Sequence, residues 1–410
     1  MMKCRHCQST VTLPLIDLGH TPPSNAYLTE ESLKESEQHY PLRVLVCERC
    51  WLAQTEDFAH AENLFNNEYA YFSGFSDTWL SHCKTYVNKM INRFKLTSAH
   101  HVVEVASNDG SLLQYIKACQ IPCTGIEPTA STASAARQKD IPTIEEFFGV
   151  NLAKKLVSEN KQADLMIANN VLAHVPDIND FASAFAILLK ENGAATFEFP
   201  HLLQLIKQCQ FDTIYHEHYS YLSLTSVNKI FNANGLSIFD VEEIETHGGS
   251  LRVFAQRGDT GKHAPSENVK NLLEREIKSG LKSAAYYQTL QLKANRIKED
   301  FLKFLKNTKK QHKKVIGYGA AAKGNTLLNY ANVNADLIPF IADKNPAKKN
   351  KFMPGSHIPI VSEKIIEKEK PDYVFVLPWN IQSEVMQQLN YIKSWGGKFV
   401  TAIPKLEIFS

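Results

Sequence analysis

Four cysteines near the N-terminus form two C-x-x-C pairs, Cys4 with Cys7 and Cys47 with Cys50. Two thiolates three positions apart on a tight turn can both reach one zinc ion, and a second pair completes its tetrahedral coordination. Because four thiolates leave no position open for water, the pattern predicts a structural zinc rather than a catalytic one. A redox-active pair would explain one C-x-x-C, but not two.

The polar turn at 104–111 follows a short apolar run that is typical of a buried strand. In nucleotide-binding α/β folds, the turn between the first strand and the first helix lies where ligands bind, at the carboxyl edge of the sheet. This turn carries two carboxylates and one glycine, not the G-x-G-x-x-G that admits a pyrophosphate. Carboxylates suit a cation, so the turn predicts S-adenosylmethionine, which has a sulfonium and an amino group. The predicted contacts are Glu104, Ala106, Asn108, Asp109 and Gly110.

Three residues at the ends of later predicted strands extend this site. Glu127 ends the second strand, where a carboxylate can bind two ribose hydroxyls. Phe148, after the third strand, is expected to contact the adenine, although paired phenylalanines are also common in cores. Asn170 ends the fourth strand and is expected to face the methionine end. The alternative is a surface turn with an unrelated glutamate.

A dense group of titratable and hydroxyl side chains lies at 211–219, and His174 follows the fourth predicted strand. Such density is unusual outside a functional site. For His216 alone, the ordinary alternative is a surface or satisfied core residue. A metal site on His216 and His218 lacks an evident third ligand.

The order of strands and helices predicts an α/β protein, with an N-terminal zinc-binding module followed by two tandem Rossmann-like doubly wound domains. In the second α/β unit, strands are predicted at 315–319, 337–341, 373–377 and 398–403, and the stretch 266–312 is predicted to be almost wholly helical. The predicted boundaries are 1–75 for the zinc-binding module, 76–265 for the S-adenosylmethionine-binding domain, 266–314 for a helical connector and 315–410 for the second Rossmann-like domain.

Composition excludes several classes of protein. The 410 residues are 44% hydrophobic and 21% charged with a net charge of +2, so no general attraction to nucleic acid or to anionic lipid is expected. No apolar stretch reaches the roughly 18 residues of a membrane span, and the chain is expected to be cytoplasmic. A nucleic-acid-binding zinc ribbon is the alternative, but the first module lacks a basic stripe with interleaved aromatics.

Several motifs occur together along the chain: the four cysteines, the turn 104–110 and the segments 215–218, 246–252 and 317–326. In this order they resemble the sugar C-3 methyltransferases of deoxysugar pathways, over nearly the whole length. In that family the C-terminal domain anchors a nucleotide sugar. The resemblance therefore implies a nucleotide-linked 4-keto-6-deoxyhexose as substrate, usually with thymidine as the nucleoside.

The resemblance also implies roles for individual residues. His218 removes the C-3 proton, while Tyr215, Glu217 and His174 position the sugar and the developing enolate. The chemistry requires both functions, because a histidine of pKa about 6.5 is too weak a base unless the enolate is stabilised. Tyr69 and Tyr71 match a further motif and are expected to close over the sugar, with ordinary core or lid packing as the alternative.

The glycine-rich segment at 317–326 follows a predicted strand and opens a helix whose N-terminus can bind an anion. Gly319, Lys323 and Asn325 are its predicted substrate contacts, as a seat for the diphosphate. A purely structural turn is the alternative. A nicotinamide cofactor is disfavoured because the next glycine after Gly319 is Gly324.

His247 and Arg252 belong to a glycine-containing loop that suits contact with a hydroxyl or a phosphate. Arg252 fits an internal ion pair equally well. A sugar O- or N-methyltransferase remains an alternative, but it would gain little from a base surrounded by enolate-stabilising donors. The sugar configuration, the nucleotide base, the stereochemistry and the oligomeric state are left open.

Overall fold

The computed structural model describes residues 2–58, 73–75 and 77–410, so that Tyr69 and Tyr71 lie outside the described residues. The N-terminal part contains three antiparallel strands, β1 (Leu13–Thr21), β2 (Tyr40–Val46) and β3 (Ala53–Thr55). The long loop between β1 and β2 contains a short 3-10 helix at Ser32–Lys34. Alternate residues of β1 and β2 are buried, as expected for strands with one face on a core.

The middle part contains eight strands: β4 (Val102–Val105), β5 (Cys123–Ile126), β6 (Thr143–Ile144), β7 (Ala163–Asn169), β8 (Leu189–Pro200), β9 (Ser220–Tyr221), β10 (Leu236–Ile244) and β11 (Ser250–Arg257). All except β9 form one sheet in the order β10-β11-β8-β7-β4-β5-β6, in which β11 is antiparallel to both neighbours. The strand order reverses between β4 and β7. In doubly wound sheets, ligands bind in the crevice at such a reversal.

Seven helices belong to this part: α1 (Asp77–Phe94), α2 (Leu113–Ala118), α3 (Ala130–Gln138), α4 (Val150–Ser158), α5 (Ile178–Leu188), α6 (Leu202–Lys207) and α7 (Leu224–Ala233). Helices α1 and α2 share one buried cluster with the sheet, and α4, α5 and α7 share another. Both faces of the sheet are therefore covered, which confirms the doubly wound prediction.

The last part begins with α8 (Glu267–Lys278), α9 (Ala284–Tyr287) and α10 (Thr289–Lys310). Its remaining elements are β12 (Val315–Tyr318), α11 (Ala322–Tyr330), β13 (Ile341–Asp343), β14 (Ile360–Ser362), α12 (Ile365–Glu369), β15 (Tyr373–Val376), α13 (Gln382–Gln388), β16 (Lys398–Thr401) and β17 (Glu407–Phe409). The sheet order is β14-β13-β12-β15-β16-β17, parallel except for β17. This order is the second Rossmann-like arrangement that the sequence predicts.

One local prediction needs correction. The strand expected at 337–341 is Ile341–Asp343 instead, because Pro339 has no N–H for a ladder and Leu337 bonds back to Asn334 in a turn. The stretch 266–312 is mostly helical, as predicted, with a break where Gly280 adopts a φ of +101°. Across the described ranges, no helix is long and apolar enough to cross a membrane.

A buried carboxylate joins the first connecting helix to the middle part. Glu276 of α8 accepts hydrogen bonds from the backbone N–H groups of Leu224 and Thr225, at the start of α7 (2.8 and 2.7 Å). It also lies 2.7 Å from Nε2 of His201, which follows β8. Glu276 is fully buried, so these donors depend on its carboxylate for their partners.

We predict that Glu276→Ala lowers the free energy of unfolding by about 3 kcal/mol, because several buried donors lose their acceptor together. Urea unfolding at pH 7 measures the change. Glu274→Ala is the matched control, since Glu274 lies exposed on the same helix and should change stability by less than about 0.5 kcal/mol. Equal effects of the two substitutions would contradict the prediction.

Candidate active site

The four predicted metal-binding cysteines converge. The sulfur atoms of Cys4, Cys7, Cys47 and Cys50 all lie within 4.8 Å of one another, and the two closest pairs are 3.5 Å apart. Zinc–sulfur bonds of about 2.3 Å place tetrahedral sulfurs about 3.8 Å apart, so the arrangement fits zinc. Three of the four are buried, as expected for a structural site.

Both C-x-x-C pairs adopt the same turn. Gln8 and Trp51, each directly after the second cysteine of its pair, have left-handed φ values of 59° and 66°. Each donates its backbone N–H to the carbonyl of the first cysteine, Cys4 or Cys47. Two equivalent knuckles thus present their sulfurs to one point, and β3 begins three residues after Cys50.

The predicted methyl-donor turn lies at the carboxyl end of β4, beside the reversal in strand order. Ala106, Asn108 and Gly110 all have positive φ values, of 56°, 50° and 73°. Such a run of left-handed residues is strained and persists where the surroundings require it, commonly at ligand sites. A Cβ on Gly110 would lie 2.4 Å from the side chain of Ile141, so only glycine fits there.

The carboxylates of this turn, Glu104 and Asp109, are buried close to that of Glu127. Burial, reinforced by the nearby charges of Asp109 and Glu127, raises the pKa of Glu104 well above its usual value. One oxygen of Glu104 is buried without a hydrogen-bond partner among the described residues. Lys139 contacts Asp109 at 3.1 Å. A positively charged ligand would relieve this repulsion, and S-adenosylmethionine is such a ligand.

Glu127 and Asn170 lie at the same sheet edge. The Glu127 carboxylate accepts the backbone N–H groups of Asn108 and Thr129 (2.9 and 3.0 Å), which fixes it against the β4 turn. Asn170 has a φ of 56°, and its side-chain oxygen is buried without a partner within the described ranges. The neighbouring Asn169, which ends the same strand and is the second candidate for the methionine end, also has both side-chain polar atoms buried without a partner among the described residues.

Phe148 packs edge-on against Phe181 and Phe185 of α5, with ring centroids 5.8 and 5.3 Å away. It is only partly buried, whereas Phe147 is 51% exposed. Phe148 therefore has a packing role in the middle part. Its contact with adenine stays a prediction.

The segment 211–221 is held by all three parts of the chain. Strand β9 at its end pairs with β3 of the zinc module, and the Thr55 hydroxyl donates to the His218 carbonyl (3.0 Å). From the last part, the Thr326 hydroxyl donates to the Ile214 carbonyl (2.9 Å). From the middle part, the Ala173 carbonyl accepts the Tyr219 N–H (2.8 Å). Its geometry thus depends on every part of the protein.

The tautomer of His218 follows from its hydrogen bond. Its Nδ1 lies 2.9 Å from the Thr213 carbonyl, which can only accept, so Nδ1 carries the proton and Nε2 is the basic nitrogen. Burial, assisted by His174, lowers the pKa of His218 well below its usual value. The side chain is therefore neutral at pH 7 and able to accept a proton.

The other predicted catalytic residues surround His218. The ring of Tyr215 lies 4.0 Å and that of His174 4.6 Å from its centroid. Nδ1 of His174 donates to the Glu217 carbonyl (2.8 Å), and burial lowers the pKa of His174 to about 4. Glu217 is buried, which raises its pKa, and its Oε2 has no hydrogen-bond partner among the described residues. The four predicted residues form one cluster.

His216 points elsewhere. Its Nε2 lies 3.2 Å from the Pro41 carbonyl in the zinc module, so His216 helps to hold the segment 211–221 in place.

The glycine-rich turn after β12 lies at the carboxyl edge of the second sheet. Gly319 has a φ of +84°, and a Cβ there would lie 2.6 Å from Pro378. The N–H of Ala320 donates to Asp343 (2.7 Å), so one donor of the turn is already used. Asn325 is fully buried, and both of its side-chain polar atoms lack partners within the described part of the chain.

Lys323 faces the segment 211–221. Its Nζ donates to the Asn380 side chain (2.8 Å) and lies 4.9 Å from the centre of the Trp379 ring. Trp379 in turn donates to Asp212 (2.7 Å). Burial lowers the pKa of Lys323, and the charge of Asp212 opposes that shift. Lys323 is thus placed between the last part and the catalytic cluster.

Of the two predicted residues in the loop 246–252, Arg252 forms an internal ion pair. It is buried and pairs with Glu198 at 2.7 Å and Glu242 at 3.0 Å. His247 has a φ of 56° and lies near Trp79. The pKa of His247 is lowered to about 4 by burial. Its contact with substrate stays a prediction.

Sequence reasoning did not select three residues at this junction. Asn25 donates to Glu217 (3.0 Å), and Asp212 and Trp379 bond to each other. Asp212 stands inside the dense segment, so composition alone could have marked it. Asn25 and Trp379 carry no such local signal, because only the folded chain brings them to 211–221.

A family model of a methyltransferase domain matches residues 79–241. Together with the buried carboxylates at the reversal in strand order, this match defines the chain as an S-adenosylmethionine-dependent methyltransferase. A model of a zinc-binding domain matches residues 4–65, and a model described as a C-methyltransferase C-terminal domain matches residues 245–404. The chain belongs to the C-methyltransferase family that combines these three domains. C-methyltransferase NovU of Streptomyces niveus is 30% identical over 408 residues, 100% of this chain and 97% of that protein.

Solved structures are more distant. Magnesium protoporphyrin IX methyltransferase from Synechocystis PCC 6803, with bound S-adenosylmethionine, is 15% identical and covers 50% of this chain and 100% of its own, with a TM-score of 0.36. An S-adenosylmethionine-dependent methyltransferase from Clostridium acetobutylicum is 11% identical and covers 44% and 92%, also with a TM-score of 0.36. These likenesses are too weak to support an argument.

We predict that Cys47→Ser lowers the zinc content well below the one ion per chain expected of the wild type. Losing one thiolate should remove several kcal/mol of the roughly 10 to 16 kcal/mol that such sites contribute to folding. Elemental analysis and solubility measure the change. The exposed Cys119 is the control, and Cys119→Ser should leave both unchanged. Full zinc in Cys47→Ser would contradict the four-cysteine site.

We predict that Glu127→Ala weakens S-adenosylmethionine binding roughly 10- to 100-fold, since a hydrogen bond to a charged group contributes about 1.5–3 kcal/mol. Calorimetry should show nucleotide-sugar binding nearly unchanged, because that ligand is expected on the other sheet. Glu145→Ala, at an exposed carboxylate after the next strand, serves as the control. Equal loss of both affinities would contradict the assignment of the two sites.

Proposed function

We propose that this enzyme methylates C-3 of a nucleotide-linked 4-keto-6-deoxyhexose and that His218 is the general base. The supporting observation is the buried, neutral His218 with its basic Nε2 beside Tyr215 and His174. The sugar and the position on it rest on the family resemblance. The same resemblance favours thymidine as the nucleoside.

The C-3 hydrogen is acidic because its anion spreads onto the C-4 ketone oxygen. The C-3–H bond breaks, the proton goes to Nε2 of His218, and the electron pair enters the enolate. A neutral histidine can accept this proton only if donors stabilise the enolate oxygen. The Tyr215 hydroxyl is suited to donate there. His174 orients the site through its bond to the Glu217 carbonyl.

Glu217 is suited to bind a sugar hydroxyl. Its Oε1 is occupied by Asn25, while Oε2 is buried and has no hydrogen-bond partner among the described residues. A hydroxyl that donates to Oε2 would offset the cost of burying this carboxylate. Hydroxyl recognition by a fixed acceptor orients the ring and thereby aims C-3 at His218.

The methyl donor and the nucleotide approach from opposite sides. When bound, S-adenosylmethionine supplies an electrophilic methyl group. Glu104 and Asp109 hold its positive end, Glu127 its ribose and Asn170 its methionine end. Asn325 and Lys323 of the last part are proposed to receive the nucleotide end, since Asn325 is buried with unsatisfied polar atoms.

We predict that His218→Ala loses methylation by about 100- to 10,000-fold, the range expected for a missing general base. We also expect the wild type to exchange the C-3 hydrogen with deuterated water when S-adenosylhomocysteine replaces the donor, and the variant to lose this exchange. Mass spectrometry and NMR measure both reactions.

His216→Ala is the matched control, because His216 bonds to backbone outside the cluster and its loss should be milder. Near-wild-type methylation by His218→Ala would mean that another residue is the base. If His218→Ala retains exchange but loses methylation, His218 aligns the methyl transfer instead of removing the proton.

A further inference from the structure

The loop Pro22–Leu28, between β1 and β2 of the zinc module, lies across the junction of the other two parts. Tyr27 donates its hydroxyl to the Ala320 carbonyl (2.6 Å), in the glycine-rich turn. Leu28 and Phe352 exchange two backbone hydrogen bonds (3.0 and 2.8 Å). The C-terminal end of the loop is thus anchored to the last part of the chain. A residue just before this anchor faces the catalytic cluster.

That residue is Asn25. Its side-chain amide donates to Oε1 of Glu217 (3.0 Å), and its backbone N–H also faces the carboxylate. Among the described residues, the N–H of Glu217 itself is the other donor directed at the carboxylate. In the described ranges no lysine or arginine forms an ion pair with it, so Asn25 is its main source of hydrogen-bond donors from another element.

We propose that Asn25 is a positioning residue of the active site, whose side-chain amide holds Oε1 of Glu217 and leaves Oε2 as the acceptor for a sugar hydroxyl. The inference rests on the proposed function for the identity of the hydroxyl that binds Oε2. The contact between Asn25 and Glu217 does not depend on it. It assigns the zinc module a direct part in the catalytic site.

The physical reason lies in the cost of burying a charge. Burial favours the protonated carboxyl, which could no longer serve as a pure acceptor, and donors to the ionised form oppose that shift. Asn25 therefore lowers the pKa of Glu217 from the higher value that burial alone would set. The orientation of the Glu217 carboxylate follows as well, because a donor fixed at Oε1 leaves Oε2 available as an acceptor.

Other titratable groups near Glu217 do not replace this effect. Burial lowers the pKa of the three neighbouring histidines, so they are uncharged at pH 7. The groups that face the carboxylate or adjoin it are Tyr215, His216, His218, Tyr219 and Tyr221 on its own segment, His174 from the middle part, and Tyr27 with Lys348 behind it.

The first test is the pH profile of kcat/KM for the ketosugar. Asn25→Ala should raise the pKa of Glu217 and move the acidic limb upward by roughly one pH unit, the effect of one lost charge-assisted hydrogen bond. Asn25→Asp has the same shape but places a like charge beside Glu217, so its shift should be larger. Thr29→Ala, at an exposed residue directly after this loop, is the control and should leave the limb in place.

The second test needs no substrate. Because burial raises the folded-state pKa of Glu217 above the unfolded value, its contribution to stability is present at low pH and is lost as pH rises through the folded pKa. Raising that pKa further should make the loss of Tm in Asn25→Ala larger at pH 8 than at pH 5. In a Glu217→Gln background this pH-dependent part should vanish.

An equal loss of Tm at both pH values, or a pH dependence that survives Glu217→Gln, would overturn the inference. An acidic limb that stays in place in both Asn25→Ala and Asn25→Asp would do the same. If the Tm measurements show the expected coupling while no ketosugar is methylated, the proposed function fails and the role of Asn25 stands.

Discussion

The pairing of β3 with β9 connects the zinc site to the catalytic base through a few residues. Strand β3 begins three residues after Cys50, and β9 begins two residues after His218. Ala53 pairs with Tyr221, Gln54 pairs with Ser220, and the Thr55 hydroxyl bonds to the His218 carbonyl. A two-residue strand has too few ladder bonds to hold itself, so its position depends on the knuckles that fix β3. The four cysteines thus help to position the active site although they take no part in the reaction.

Among the residues that the structure describes, several buried polar atoms without partners lie where the ligands are proposed to bind. Glu104, Asn169 and Asn170 lie at the edge of the first sheet, Glu217 lies in the catalytic cluster, and Asn325 lies in the second sheet's turn. Each such atom costs about 1–3 kcal/mol when it stays unsatisfied. A polar ligand that binds at these positions would offset part of this cost, in agreement with the proposed function.

The sequence predicted what local spacing controls. The cysteine pairs, the two tandem α/β units and the turn after β4 follow from short-range patterns, and the structure has them where the patterns place them. Tertiary contacts decided the rest. Nothing in the spacing of Asn25 or Trp379 indicates that they reach Glu217 and Asp212, over 192 and 167 positions. Arg252 has the residue type of a phosphate ligand, but the carboxylates of the buried Glu198 and the partly buried Glu242, on neighbouring strands, satisfy it inside the fold.

The central claim is that the three parts of the chain meet to methylate a carbon of a ketosugar. The most direct measurement incubates the protein with labelled S-adenosylmethionine and a panel of thymidine- and guanosine-linked 4-keto-6-deoxyhexoses, and then determines the product by mass and NMR. We expect one added methyl group on C-3, bonded to carbon, with a thymidine-linked substrate. A methyl group found on a hydroxyl oxygen, or no transfer to any ketosugar of the panel, would contradict it.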